Sequence, residues 1–186
     1  MPARIPRYDK SAFAGHGDRV PSAQWAEANQ PGRRKVQVVI LEGWCVGFRA
    51  LAPEQVRAKR EASRADPDST LWKNSLESLV FVNEKLREYD VMTDMLDAFI
   101  HIDAEETSYV YAWRLEQEIA LRKAKGVENA MTDEQVNTFV DGYYPAYELY
   151  TDSLRKGVFH DVPEKEGCQL RLVVGRDRRV KTVEQI

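Results

Sequence analysis

The sequence predicts an α/β protein in which a parallel sheet is flanked by helices. Three short segments have the apolar, β-branched composition of strands, and longer segments with helical spacing of apolar residues lie between them. Strands that alternate with long helices favour a parallel sheet, because each parallel strand needs a long crossover connection. The 186 residues contain no internal repeat, low-complexity tract or linker, so we expect one domain that covers residues 1–186.

The first predicted strand comprises residues 36–43, VQVVILEG, and is almost entirely apolar, as in a strand covered on both faces. Residues 97–104, DAFIHIDA, form the second, and residues 168–175, CQLRLVVG, form the third. A charged turn follows the third strand, and the final VKTVEQI is predicted to return as a hairpin. We expect residues 36–42 and 97–103 to occupy the centre of the sheet.

Helices are predicted where apolar residues recur every three to four positions. Residues 71–89 and 105–125 have this spacing, and residues 50–69 favour an exposed helix and loop. The TDEQ sequence at Thr132 is a capping box, which starts a third helix, and Pro145 must kink or restart that helix. We interpret the apolar stripe of this helix as amphipathic core rather than as a ligand-binding box. The stripe comprises Val136, Phe139, Val140, Tyr143, Tyr147, Tyr150 and Leu154.

Composition and charge argue against several classes of partner. The chain is 43% hydrophobic and 31% charged, with a formal charge of −3 at pH 7. Without a basic surplus this balance gives no support for nucleic-acid binding, and we interpret the short basic stretches at residues 33–35 and 176–179 as solvated turns. No apolar run has the length of a membrane span or the pattern of a secretory signal.

The cysteines and histidines form no metal-binding pattern. Cys45 and Cys168 are far apart and form no CxxC pair, and the histidines at positions 16, 101 and 160 are scattered. We therefore expect reduced thiols and a cytoplasmic protein.

Two segments concentrate reactive side chains. Residues 5–19, IPRYDKSAFAGHGDR, precede the first predicted strand, and Glu42 ends that strand. Ligands of parallel α/β proteins bind at the carboxyl edge of the sheet, and apolar residues followed by an acid also match a Walker B strand, whose carboxylate organises Mg²⁺. Taken alone, both segments have ordinary interpretations, namely a polar N-terminal arm and a buried strand that ends in an acid.

Four segments taken together give a more specific indication of function than either segment alone. In chain order they are PRYDKSAFAGHGDR, VVILEGWCVGF, YVYAWRLEQE and MTDEQVNTFVDGYYPAYELY. Their order and spacing, from about residue 4 to at least residue 155, resemble the D-glycerate 3-kinase family of P-loop kinases, which are related to uridine kinase and pantothenate kinase. The resemblance implies a P-loop NTPase-type sheet and phosphorylation of the terminal hydroxyl of D-glycerate, a small-molecule substrate, with ATP and Mg²⁺ as cofactors.

The resemblance assigns the YDKS segment to the acceptor substrate. Asp9 matches the acid placed beside the acceptor hydroxyl, where a carboxylate can orient that hydroxyl and accept its proton. Lys10 and Arg19 lie in the same motif and are expected to pair with the carboxylate of a small hydroxy acid, to which an arginine offers two donors.

Three further roles follow from the later motifs. Glu42 fits the position that organises Mg²⁺, directly or through water. Arg114 matches the lid arginine that approaches the transferred phosphate of ATP and offsets its charge in the transition state. Without the motif, an ion pair between Arg114 and Glu118 at i+4 is the simpler interpretation. Trp44 and Phe48 fit either the wall of the substrate pocket or plain core.

One family element has no counterpart in the sequence. None of the ten glycines is followed by lysine, so the 186 residues contain no GxxxxGK[ST] loop to cradle nucleotide phosphates. In the family, the strand that carries this loop lies between the first two predicted strands, and we therefore expect a sheet that is incomplete at the N-terminus. Unpaired strand edges predict self-association, and the missing loop predicts no ATP turnover by these residues.

Two other functions stay open from the sequence. A degenerate relative could keep the acceptor half and serve as a non-catalytic binding or structural protein. The same scaffold could also phosphorylate another acceptor, such as a nucleoside or pantothenate.

Overall fold

The structure is a computed structural model and describes residues 2–9, 12–13, 17–125 and 131–186. The chain divides into two compact units, Met1–Gly43 and Trp44–Ile186. The expectation of a single domain over the whole chain stays a prediction.

The first unit contains two short antiparallel strand pairs. β1 (Ala3–Ile5) pairs with β4 (Ala26–Ala28), and β2 (Tyr8–Asp9) pairs with β3 (Asp18–Arg19). Two of the three residues assigned to the acceptor by the first motif, Asp9 and Arg19, therefore lie on adjacent strands of one small hairpin.

The predicted strand at residues 36–43 is wrong, because the segment pairs with no strand among the described residues. Its side chains are exposed, to 85% for Val39 and 86% for Ile40. A strand exists only where a neighbour exchanges backbone hydrogen bonds with it, and no described strand does so for this segment. The expected central position of residues 36–42 in the sheet fails for the same reason.

Helices dominate the second unit. They are α1 (Pro53–Ala62), α2 (Leu76–Arg87), α3 (Asp90–Thr93), α4 (Tyr109–Lys125), α5 (Asp133–Asp141) and α6 (Tyr144–Lys156). The predicted helices at residues 71–89 and 105–125 are confirmed, although each starts four or five residues later than expected. Within the described ranges, no helix is long and apolar enough to cross a bilayer.

Local signals in the sequence determine where α5 and α6 begin. The Thr132 hydroxyl accepts a hydrogen bond of 3.2 Å from the Gln135 N–H, and the Gln135 side chain accepts one of 2.8 Å from the Thr132 N–H. This confirms the capping box. Pro145 lies in the first turn of α6, where an N–H has no partner within the helix. The proline therefore restarts the chain as a new helix.

The sheet of the second unit has the order β5 (Phe99–Ala104), β6 (Gln169–Val174), β7 (Val180–Gln185). β5 and β6 are parallel and β6 and β7 are antiparallel, which confirms the second and third predicted strands and the terminal hairpin. The α/β class, with helices around a sheet that contains a parallel pair, is thereby confirmed. The expected central position of residues 97–103 is wrong, since β5 pairs only with β6 among the described strands and lies at the edge.

Buried apolar side chains form the core of the second unit. They include Phe48, Val56, Leu71, Leu79, Leu86, Leu149, Tyr150, Leu154, Val158 and Phe159. The predicted stripe of α5 and α6 is largely confirmed as core, because Val136, Val140 and Tyr150 are buried, but Phe139 is half exposed.

Candidate active site

Arg114 lies on α4, and its guanidinium has partners on several sides. Nη2 lies 3.0 Å from Oε2 of Glu118, one turn further along the helix. Nη1 donates a hydrogen bond of 3.3 Å to Oε1 of Gln117, and the guanidinium carbon lies 5.3 Å from the centre of the Phe139 ring. The i, i+3 and i+4 positions of a helix face one another, so local spacing explains the first two contacts. The ion pair with Glu118 considered from the sequence is confirmed.

Glu118 is an unusual carboxylate because its side chain is only 2% exposed. Its Oε1 accepts a hydrogen bond of 2.8 Å from the backbone N–H of Met131, just before α5. One turn further along α4, Arg122 donates to the carbonyl of Met131 and lies 2.6 Å from Oδ1 of Asp133. The sequence offered Glu118 only as an ion-pair partner, and its burial depends on tertiary contacts.

Trp44 combines the two roles that the sequence left open. Its ring centre lies 5.4 Å from that of Tyr143, 5.8 Å from that of Tyr147 and 6.2 Å from that of Phe48, which is buried. Yet Trp44 itself is 54% exposed. The indole therefore rests on the core and also offers apolar surface to a ligand.

Aromatic rings connect Trp44 with Arg114. Tyr143 contacts Trp44 and also Phe139, with 5.6 Å between the ring centres of the latter pair, and Phe139 contacts the Arg114 guanidinium. Burial raises the pKa of Tyr143, although the charge of Arg114 opposes this shift, so the hydroxyl stays protonated at neutral pH. The structure thus joins the two expected site residues of the second unit through two residues that helical spacing had assigned to the core.

Asp9 lies on β2, directly opposite Asp18 on β3, and both residues are exposed. Residues opposed in this way have Cβ atoms about 4.5–5.5 Å apart, so two carboxylates share one face of the hairpin. Gly17 precedes β3 with a φ of 77°, and a Cβ at that position would overlap the ring of Tyr8. Only glycine fits there without strain. Asp18 was not expected from the sequence, although it lies in the same motif.

Arg19 lies on β3 with its side chain exposed. Its guanidinium carbon lies 6.0 Å from the ring of Trp25, and that of Arg4 lies 5.9 Å from the same ring. The indole N–H of Trp25 donates a hydrogen bond of 2.9 Å to the carbonyl of Val20, which holds the ring in place. Lys10 lies outside the described residues, and its role stays a prediction.

Glu42 does not end a strand, because residues 36–43 are unpaired among the described residues. The inference that Glu42 stands at the carboxyl edge of the sheet is therefore wrong, and its side chain is exposed. In the part of the chain that the structure describes, no group of three or more His, Cys, Asp or Glu side chains is placed to hold a metal ion. The role of Glu42 towards Mg²⁺ stays a prediction.

A buried charge cluster at the carboxyl end of β5 was not expected from the sequence. Asp103 is 2% exposed and accepts hydrogen bonds from Arg155 at 2.7 and 3.0 Å and from Arg171 at 2.6 and 2.9 Å. Arg171 also lies 2.7 Å from Glu184. Burial alone would raise the pKa of Asp103, but the hydrogen bonds from the two arginines outweigh it and hold the pKa below its ordinary value. The cluster ties α6 to all three strands of the sheet.

The known proteins to which this chain is similar are kinases. No protein-family model matches the chain. The chain is 42% identical over 156 residues to the uncharacterized kinase mug58 of Schizosaccharomyces pombe, which covers 83% of this chain and 51% of that protein. It is 37% identical over 151 residues to the chloroplastic D-glycerate 3-kinase of Arabidopsis thaliana. That alignment covers 81% of this chain and 28% of the plant protein. The solved structure of D-glycerate 3-kinase from Cryptococcus neoformans matches with a TM-score of 0.83 at 37% identity, over 100% of this chain and 60% of that chain.

The chain spans about half the length of the fission yeast relative and a smaller share of the plant enzyme. The match to the Cryptococcus neoformans structure covers the whole of this chain and therefore includes the four motifs. The resemblance found in the motifs is therefore confirmed, and the chain is a homologue of kinases that include D-glycerate 3-kinase.

Proposed function

We propose that this chain forms the acceptor-binding and lid portion of a kinase that transfers the terminal phosphate of ATP to a hydroxyl of D-glycerate. The observation that carries the proposal is the row of contacts from Trp44 through Tyr143 and Phe139 to Arg114. Both ends of this row are motif residues, one an exposed aromatic surface and the other a restrained cation. Homologues named as D-glycerate 3-kinases support the choice of substrate, and the cytoplasmic location expected from the sequence stays a prediction.

Arg114 neutralises charge on the phosphate during transfer. The phosphoryl group carries its charge on the non-bridging oxygens, and a pre-oriented guanidinium stabilises that charge better than mobile water does. The contacts with Glu118, Gln117 and Phe139 restrict the arginine side chain before substrate arrives. Less ordering is then needed in the transition state.

Asp9 orients the acceptor hydroxyl and accepts its proton. Asp18 supplies a second carboxylate on the same face of the hairpin, so the two residues are best tested together. Arg19 pairs with the carboxylate of the hydroxy acid, and its contact with Trp25 limits the orientations of the guanidinium. Lys10 is proposed to pair with the same carboxylate of the hydroxy acid.

ATP is the phosphate donor, and Arg114 is the described residue suited to contact its terminal phosphate. The described residues do not assemble a ligand set for Mg²⁺, because no group of three or more carboxylates, histidines or cysteines converges among them.

Calorimetric titration with D-glycerate tests the acceptor site. We expect binding by the parent chain and, for Arg19→Ala, a loss of affinity of roughly tenfold or more, the scale of a hydrogen bond to a charged group. Arg33→Ala removes another exposed arginine of the first unit and is the matched control. A parent chain that does not bind D-glycerate, or equal effects of the two substitutions, would contradict the assignment.

A coupled assay of ADP release tests catalysis. The 186 residues contain no GxxxxGK[ST] loop, so we expect no turnover from this polypeptide alone and turnover once a P-loop segment from a relative is fused upstream. In the fused enzyme, Asp9→Asn is expected to lower kcat by roughly 10²- to 10⁴-fold, the scale of a general base. Asp18→Asn shows whether the opposed carboxylate can replace it, and a fully active double variant would contradict the role of Asp9.

A further inference from the structure

We propose that Glu118 is a positioning residue for Arg114, an inference that rests on the proposed role of Arg114 in phosphate transfer. The two carboxylate oxygens of Glu118 have different partners. Oε2 lies 3.0 Å from Nη2 of Arg114, and Oε1 accepts a hydrogen bond of 2.8 Å from the N–H of Met131. The side chain therefore bridges the arginine and the segment that enters α5.

The bridge belongs to an alternating row of charges on one face of α4. Arg114, Glu118 and Arg122 follow one another at intervals of four residues, about one helical turn. Arg122 donates to the carbonyl of Met131, and Glu118 accepts from its N–H, so one residue is held at both of its backbone groups. The start of α5 is thereby attached to the face of α4 that carries Arg114.

Helix α5 also contacts Arg114, through the ring of Phe139. The ring centre lies 5.3 Å from the guanidinium carbon, within the range of a cation–π interaction. Glu118 thus acts on Arg114 twice, directly through the ion pair and indirectly through the helix whose entry it anchors. Loss of its charge removes the direct constraint, and loss of the whole side chain removes both.

Burial distinguishes this pair from ordinary surface ion pairs. An exposed pair contributes little because either side chain can exchange its partner for water. Glu118 is 2% exposed and Arg114 is 27% exposed, so the carboxylate has little access to water and depends on its protein partners. A buried anion of this kind keeps the arginine in one orientation.

Glu118→Gln separates the two contacts of the side chain. Glutamine keeps the size and an oxygen that can accept from Met131, but it removes the charge that holds Arg114. In the ¹⁵N-labelled chain the Nε–H signal of Arg114, assigned by its loss in Arg114→Lys, reports on the guanidinium. We expect this signal to shift and to narrow in the glutamine variant because the side chain rotates more freely, and we expect a lower melting temperature because a buried ion pair is broken. An unchanged Arg114 signal would overturn the proposal.

Glu116→Gln is the matched control. Glu116 lies on the same helix, is half exposed and pairs with Arg178 at 2.7 Å, so its substitution should leave the Arg114 signal in place. If Glu118→Gln does not fold, Glu118→Asp keeps the charge but withdraws it from Arg114 by one methylene group. The Arg114 signal must then shift in the folded aspartate variant, and an unshifted signal counts equally against the proposal.

Kinetics of the fused enzyme provide a second measurement. We expect Glu118→Gln to lower kcat by roughly 10- to 100-fold, the scale of a misplaced catalytic group, while the KM for D-glycerate changes by about twofold or less. Glu116→Gln should match the parent. A rise in KM as large as the fall in kcat, or an unchanged kcat, would contradict a positioning role. If the parent fusion has no activity, the proposed function fails, whereas the Arg114 signal still decides whether Glu118 orients the arginine.

Discussion

The ring centres of Trp44 and Tyr143 lie 5.4 Å apart with their planes tilted by 52°. Phe139 continues this contact to the guanidinium of Arg114. Tilted and edge-on arrangements of aromatic rings are favourable beyond the area that they bury. Packing as well as charge therefore organises the candidate site of the second unit.

A double-mutant cycle tests the Trp44–Tyr143 contact. With leucine at each position, we expect a coupling free energy of about 0.5–1.5 kcal/mol in urea unfolding, the scale of an aromatic pair. Trp72, which instead contacts Arg60 and Arg64, provides a control cycle with Tyr143 and should show no coupling. Equal coupling in the two cycles would show that the Trp44–Tyr143 contact contributes nothing specific.

The charge cluster around Asp103 predicts a large loss of stability. Asp103→Asn leaves Arg155 and Arg171 without their shared carboxylate, and breaking a buried ion pair costs about 3–5 kcal/mol of unfolding free energy. Asp161→Asn, at a side chain that is 85% exposed, is the control and should change the unfolding free energy little. A loss below about 1 kcal/mol for Asp103→Asn would contradict the structural role of the cluster.

Stability is expected to fall as pH drops below the ordinary pKa of histidine. Burial lowers the pKa of His101, the charges of Arg155 and Arg171 lower it further, and Asp103 only partly opposes this shift. Below the unfolded pKa of about 6.5 the unfolded chain binds a proton that the folded protein excludes, so stability declines until pH reaches the lower folded pKa.

Urea unfolding from about pH 8 down to about pH 5 measures this dependence. His101→Gln should flatten the slope below pH 6.5, because it removes the group whose pKa folding lowers. Parallel curves for the parent and His101→Gln would exclude His101 as the source.

The capping box of α5 predicts a moderate loss of stability when the Thr132 hydroxyl is removed. Thr132→Ala removes the hydroxyl that accepts from the Gln135 N–H and should lower the unfolding free energy by about 0.5–2 kcal/mol. Thr138 donates its hydroxyl to the Glu134 carbonyl within the same helix, so Thr138→Ala is a control without a capping role. A larger loss of unfolding free energy for Thr138→Ala than for Thr132→Ala would contradict the capping role of Thr132.

The exposed apolar segment at residues 36–43 predicts self-association. Val39 and Ile40 are both more than four-fifths exposed, and unpaired apolar segments favour pairing between chains. We expect light scattering after size exclusion to show a mass that grows with concentration, and Ile40→Lys to reduce it. Gln37→Lys adds the same charge without removing an apolar side chain and should act more weakly. A parent chain that stays monomeric at all concentrations would contradict this prediction.

The sequence by itself determined most of the helices and all three described strands of the second unit. Apolar spacing identified α2 and α4, and the capping box and Pro145 set the boundaries of α5 and α6. These features depend on residues within one or two turns of each other, so local physics is sufficient to predict them. The four motifs, read as a resemblance, also led to the kinase homologues.

Only the tertiary structure decided which segments pair and which charges are buried. Residues 36–43 have a strand composition but no partner among the described strands, because hydrogen bonding in a sheet depends on a distant neighbour. Asp103 acquires its arginines from α6 and β6, and Glu118 acquires Met131 from the segment that enters α5. Spacing placed Glu118 one turn from Arg114, but the burial that makes it a positioning residue arises from the packing of α4 against α5, which local sequence does not encode.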